Sequence, residues 1–183
     1  MGALIFSGCS LYFSCTNSNR IYQLEINKQR PVVELNYPSK ERFLFIENGG
    51  VNVTIPLINN GKSAAKEFKA VLNIALVDKN KVIGVREDIF PSIPYVRILP
   101  GGGVSPTGWY ELSDKTKFVD SYGSGSLKIL VGVKFSYKDS IFNNEFSDVV
   151  YVLLDKNEMS PIDKEKGKSI WEKIRNKQEL VGI

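Results

Sequence analysis

Histidine is absent from all 183 residues. Without imidazole there is no Ser-His-Asp or Cys-His catalytic pair and no His-based zinc site. Cysteine is almost as scarce: Cys9 and Cys15 are the only two, so the chain beyond them has no disulfide framework and no thiolate metal cluster. No apolar run reaches the roughly 20 residues that span a bilayer. Neither sign of charge dominates, with 24 Lys and Arg against 20 Asp and Glu, and the cations are spread along the chain, whereas nucleic acid calls for a concentrated basic face. Their one concentration, Lys164, Lys166, Lys168, Lys173, Arg175 and Lys177, is interleaved with Asp163, Glu165, Glu172 and Glu179, the pattern of a solvated helix surface. Gly61-Lys62-Ser63 ends like a phosphate-binding P-loop, but Pro56 stands where that motif requires glycine. The expectation is a protein without enzymatic activity, cofactor, metal or nucleic-acid partner.

What is present begins with an apolar leader. Ala3, Leu4, Ile5 and Phe6 lead into Ser7-Gly8-Cys9, and Leu11, Tyr12 and Phe13 continue to Cys15. A small-small-Cys step after an apolar run resembles a bacterial lipoprotein processing site, which implies Cys9 as the lipidated residue. Only Met1 and Gly2 precede the run, where a secretory leader carries a basic region. Three readings stay open: a lipoprotein signal, a short membrane anchor and a soluble N-terminal strand.

After the polar spacer Thr16-Asn17-Ser18-Asn19, alternation takes over. Val51, Val53, Ile55 and Leu57 alternate with Asn52, Thr54 and Pro56, the pattern of a half-buried strand, and Pro56 predicts an edge or a bulge because it donates nothing to a ladder. Phe68, Ala70, Leu72, Ile74 and Leu76 share one face of a second strand; Asp78-Lys79-Asn80-Lys81 reads as a tight turn and Val82-Ile83-Gly84-Val85 as the return. Leu127, Ile129, Val131, Val133 and Phe135 form another face, and Phe146, Asp148, Val150, Val152 and Leu154 a last one. Segments 31–36, 43–47, 93–99 and 107–112 are further strand candidates, with no helix-period segment among them. The predicted fold is all-β, an antiparallel sandwich. Gly101-Gly102-Gly103 and Gly123-Ser124-Gly125-Ser126 read as loops.

Three turns carry a resemblance. Asn59-Asn60-Gly61-Lys62-Ser63-Ala64-Ala65 is similar to the N-x-G-x-x-x-A turn of bacterial immunoglobulin-like and CARDB-like domains, Leu99-Pro100-Gly101 to their L-x-P-G corner, and Tyr137-Lys138-Asp139 to their closing Y-x-D hairpin. The resemblance implies an immunoglobulin-like β-sandwich over residues 31–155, after a leader and spacer at 1–19 and before a helical tail at 160–183. It transfers no binding residue, and the antibody-type Cys-Trp-Cys core is absent.

In the tail, Ser160 and Pro161 fit an N-cap and first helical residue, and Ile170, Trp171 and Ile174 make an apolar stripe suited to packing on the sandwich, or to a protein or membrane surface. Gly167 weakens that helix by about 1 kcal/mol relative to alanine. Glu87-Asp88, Asp114 and Asp120 lack the spacing of a calcium loop and read as solvated carboxylates, and Asn52-Val53-Thr54 is a glycosylation acceptor embedded in a strand. Among the aromatics, Trp109, Tyr110, Tyr122 and Trp171 are the candidates for a binding surface. The functional expectation is an envelope-associated module, anchored through its N-terminal segment and binding an unidentified protein or surface ligand. The alternatives are a soluble structural or assembly subunit of a phage or secretion apparatus, with a cytoplasmic location as the alternative to the envelope, and a carbohydrate-active protein using acidic residues.

Overall fold

A computed structural model describes residues 20, 22, 24–25, 28–36, 43–47, 49–91, 96–156 and 158–180. Cys9, Cys15 and the rest of the leader lie outside them, as does Tyr95. The chain is an open antiparallel β-sandwich with a short C-terminal helix. Its strands are β1 (Val33–Leu35), β2 (Leu44–Glu47), β3 (Gly50–Thr54), β4 (Leu57–Asn59), β5 (Ala65–Asp78), β6 (Lys81–Ile89), β7 (Val96–Ile98), β8 (Gly103–Val104), β9 (Thr107–Glu111), β10 (Leu127–Asp139), β11 (Glu145–Asp155) and β12 (Glu158–Ile162). Helix α1 (Lys115–Ser124) lies between β9 and β10, and α2 (Lys164–Arg175) follows β12.

The larger sheet runs β12-β11-β10-β5-β6, with β7 also on β5. Strict alternation in β5 and β10 divides their side chains between two cores. Phe68, Leu72, Ile74, Ile129, Val131, Val133 and Phe135 turn inward to the main core, joined there by Val51, Val53, Ile55 and Leu57 of the smaller layer. Ala75, Val77 and Leu130 turn outward, where Ile170, Trp171 and Ile174 of α2 and Leu180 cover them. The expected apolar stripe of the tail thus packs on the sheet. Backbone Leu180 N–H also donates to Asn80 O at 3.0 Å, fixing the tail to the β5–β6 turn. That turn is the expected tight one, with Lys79 at φ 56°.

The smaller layer is divided by two prolines. Strands β3 and β9 pair up to Thr54 and Thr107, β4 and β8 pair from Leu57 and Val104, and between them stand Pro56 and Pro106. Neither proline has an N–H to give, so the ladder stops, and one N–H from Ile55 to Pro106 O at 3.0 Å bridges the gap. The layer therefore splits into β1-β4-β8 and β2-β3-β9. Pro56 does not mark an edge: the strands on both sides of it are central in their sheets.

Two further expectations change. Residues 115–124, read as part of an all-strand body with a loop at 123–126, form α1, with Asp114 Oδ1 accepting from Lys117 N–H at 3.0 Å and Gly125 closing it at φ 79°. The last helix starts at Lys164, capped by Asp163, which accepts from the N–H groups of Glu165 and Lys166 at 3.0 and 3.2 Å. Ser160 and Pro161 belong instead to β12, an edge strand, where a missing N–H costs no ladder bond.

Candidate functional site

The three turn motifs meet at one end of the sandwich and are structural. Asn59 is fully buried and all its side-chain capacity is used: Oδ1 accepts from Val32 and Gly61 N–H, both at 3.0 Å, and Nδ2 donates to Ser63 O at 2.8 Å and Ile98 O at 3.1 Å. Gly101 N–H donates to Asn59 O at 2.8 Å, joining the L-x-P-G corner to the same knot. A Cβ on Gly61 would strike the backbone of residues 30–32, so glycine is required there. Ser63, in the same turn, is buried.

Two of the acidic candidates have partners within the fold, and Asp88 and Asp120 are exposed. Glu87 accepts from Arg175 Nε at 2.8 Å, and Asp114 caps α1. Among the described residues no group of three or more Cys, Asp or Glu is arranged around a cation site, and no helix is long and apolar enough to cross a membrane.

Of the four aromatic candidates, one faces outward. Adjacent residues on β9 must point to opposite faces. Tyr110 goes inward, its hydroxyl filling the space that a side chain on Gly84 would need, and burial pushes its phenol above the usual tyrosine range. Tyr122 is only 7% exposed, stacked on Phe118 at 5.8 Å on the buried face of α1. Trp171 is only 3% exposed, inside the second core. Tyr122 and Trp171 are thereby corrected from surface to packing residues, while Tyr110 is partly buried, packing against the main core and also lining an open pocket with Asp114 and Lys117.

Trp109 takes the outer face of the smaller layer, partly exposed. Its register partner on β3 is Asn52, whose own partner on β2 is Phe45, so Phe45, Asn52 and Trp109 form one row across the sheet. The next row is Glu47, Gly50 and Glu111. The benzo edge of Trp109 lies over Gly50, where a Cβ would collide with Cζ2 and Cη2. Glycine at that one point lets the indole settle against the sheet.

On the other side of the indole is an open cleft of about 450 Å3, whose lining includes Asn52, Arg86, Phe90, Ser105 and Thr107 as well as Trp109. Arg86 Nη1 donates to Trp109 O at 3.1 Å, linking β6 to β9 across the gap between layers. Thr107 Oγ1 is held by Thr54 Oγ1 at 2.9 Å. Phe90, 75% exposed, is the second aromatic residue of the lining. Sequence reasoning singled out Trp109 and missed Asn52 as a companion, along with Arg86, Phe90 and Ser105, because cross-strand register is not written in any one strand. Comparison with known proteins adds no relative: no family model matches the chain, and no curated protein matches it.

Proposed function

We propose that this chain is a non-enzymatic binding module, immunoglobulin-like in plan, that engages a partner protein or surface ligand through the outer face of β2-β3-β9. The observation that carries the reading is Trp109: a large aromatic held against Gly50 on the outer face and lining a cleft, while Tyr122 and Trp171 are buried and Tyr110 turns toward the main core. Aromatic anchors of this kind supply a large share of binding energy, about 2 kcal/mol or more on truncation. Attachment to the cell envelope through Cys9 belongs to the same reading.

The test is retention on native envelope material. Wild-type protein is expected to bind, and Trp109→Ala to lose binding while its urea-unfolding midpoint stays unchanged; equal retention of a folded Trp109→Ala variant overturns the reading. For location, Cys9→Ala expressed with a complete leader is expected to move from membrane to soluble fraction, with Cys15→Ala unaffected.

A second reading, a self-assembling subunit, draws on β6. This strand ends the larger sheet and exposes Ile83 and Val85, and an apolar edge is a template for pairing. Concentration-dependent mass in light scattering, abolished by Val85→Lys, would favour it.

A further inference from the structure

We infer that the Trp109 cleft takes a neutral saccharide ring; this rests on the proposed binding function and names its ligand class. The chemistry of the lining points there. A sugar ring has an apolar C–H face and an equatorial belt of hydroxyls, each both donor and acceptor. Its receptor needs an aromatic surface to stack on and fixed planar groups at the ring's edge.

The cleft supplies both. Trp109 forms the stacking surface, and its position is set before any ligand arrives because Gly50 removes the obstruction beneath it. Phe90, highly exposed, is a second aromatic residue of the lining. The same lining holds an amide, a guanidinium and a hydroxyl, from Asn52, Arg86 and Ser105. Arg86 spends one N–H on Trp109 O, which orients its planar fork and leaves its other donors for the cleft. The Asn52 amide makes no hydrogen bond within the described chain, so it has both a donor and an acceptor to offer. Thr107 is engaged with Thr54 and shapes the floor.

Charge and layout argue against the other ligand classes. Among the described residues Arg86 is the one cation lining the cleft, and Glu47 and Glu111 lie in the row beyond, on either side of Gly50, so the charge around the indole is not one that collects an anion. A protein interface places its apolar centre inside a polar rim. Here an amide, a guanidinium and hydroxyls share one small lining with Trp109, Phe90, Ile89 and Pro91, so polar and apolar surface are mixed within a single cleft. The cleft volume, about 450 Å3, lies within the ordinary range of small-ligand sites.

The experiment titrates the full chain, carrying Trp171→Phe so that Trp109 is the remaining indole, with neutral cello-, malto-, manno- and N-acetylated chito-oligosaccharides. Galacturonate oligomers and inorganic phosphate are the charged controls. A saturable shift of Trp109 emission with at least one neutral series is expected, and calorimetry on the unmodified chain should give the same affinity. Asn52→Ala and Arg86→Ala should each weaken it about tenfold, the scale of a lost charged or neutral hydrogen bond, and Lys168→Ala should leave it unchanged. Phosphate or galacturonate binding with no neutral sugar binding overturns the saccharide assignment. If no sugar binds but Trp109→Ala still abolishes envelope retention, the ligand class fails and the binding module stands. If Trp109→Ala alters neither, both fail.

Discussion

Ser63 Oγ lies 3.2 Å from Asp139 Oδ1, across 76 positions of sequence. The contact joins the turn after β4 to the end of β10, and both residues are buried. Asp139 Oδ1 also accepts from Ile141 N–H at 2.7 Å, setting the β10–β11 hairpin, while Oδ2 is buried with no partner among the described residues. One oxygen therefore does the structural work. Asp139→Asn, which keeps that acceptor and the shape of the side chain, should leave stability near wild type. Asp139→Ala strands two donors and should cost about 1–3 kcal/mol. Urea unfolding of the two variants checks the order; equal losses would defeat the single-oxygen account.

Gly50→Ala tests how Trp109 is held. The added methyl collides with the indole, and the ring must swing away from the sheet. Gly50 has ordinary strand geometry, so the fold itself should tolerate alanine. The expected result is a red-shifted Trp109 emission and weakened envelope retention, with an unfolding midpoint close to wild type. An unchanged emission spectrum would show that the indole does not rest on Gly50.

Gly167 reverses a general rule. Glycine inside an exposed helix costs about 1 kcal/mol relative to alanine, and replacement normally stabilises. In α2, however, a Cβ at residue 167 would run into the Tyr151 ring of β11. Gly167→Ala should therefore lower the melting temperature by lifting α2 from the sheet. In a Tyr151→Ala background the same change should raise it. Stabilisation by Gly167→Ala in both backgrounds would refute the contact.

These contacts mark where sequence reading succeeds and stops. Alternation is a local signal, and it located the inward faces of β5, β10 and β11 because each position's face follows from its neighbours. Of the residues it places on one face of these strands, Val53, Ile55, Leu72, Ile74, Ile129, Val131, Val133 and Val152 are buried, and Val150 packs against that core. The division at Pro56 was not legible, since it depends on Pro106 arriving opposite, from a distant segment. Helix α1 was hidden because Phe118 and Tyr122 are its only buried side chains, too few to set a helical period against the surrounding strands. At 160–161 a valid helix-start signature lost to pairing with β11, which a one-strand reading does not weigh. The site followed the same logic: Trp109 was visible alone, but its row with Asn52 and Phe45 exists only after pairing.

Trp171 should tolerate one substitution and not another. Its indole Nε1 is buried with no hydrogen-bond partner among the described residues, so phenylalanine removes an unsatisfied donor while keeping most of the apolar volume. Trp171→Phe is expected within about 1.5 kcal/mol of wild type. Trp171→Ala empties the second core beneath α2 and should cost about 3–5 kcal/mol. Comparable losses in both variants would mean that Nε1 has a partner.

Alkaline stability follows from three tyrosines. Burial pushes Tyr110, Tyr137 and Tyr151 above the ordinary phenol range. A phenol with a higher pKa when folded holds its proton more tightly in the native state. Its contribution is complete below the unfolded value of about 10 and is lost as pH rises through the folded value. The urea midpoint should thus be flat approaching pH 10 and fall beyond it, with phenolate absorbance lagging behind free tyrosine. Tyr110 makes no hydrogen bond through its hydroxyl in the described chain, so Tyr110→Phe should retain the fold and make the alkaline decline shallower. Tyr137, which donates to Pro31 O at 3.3 Å, should lose stability near neutral pH on the same replacement. Ionisation of Tyr110 at the unfolded value, or an alkaline slope unchanged in Tyr110→Phe, would remove it from the buried layer between the sheets.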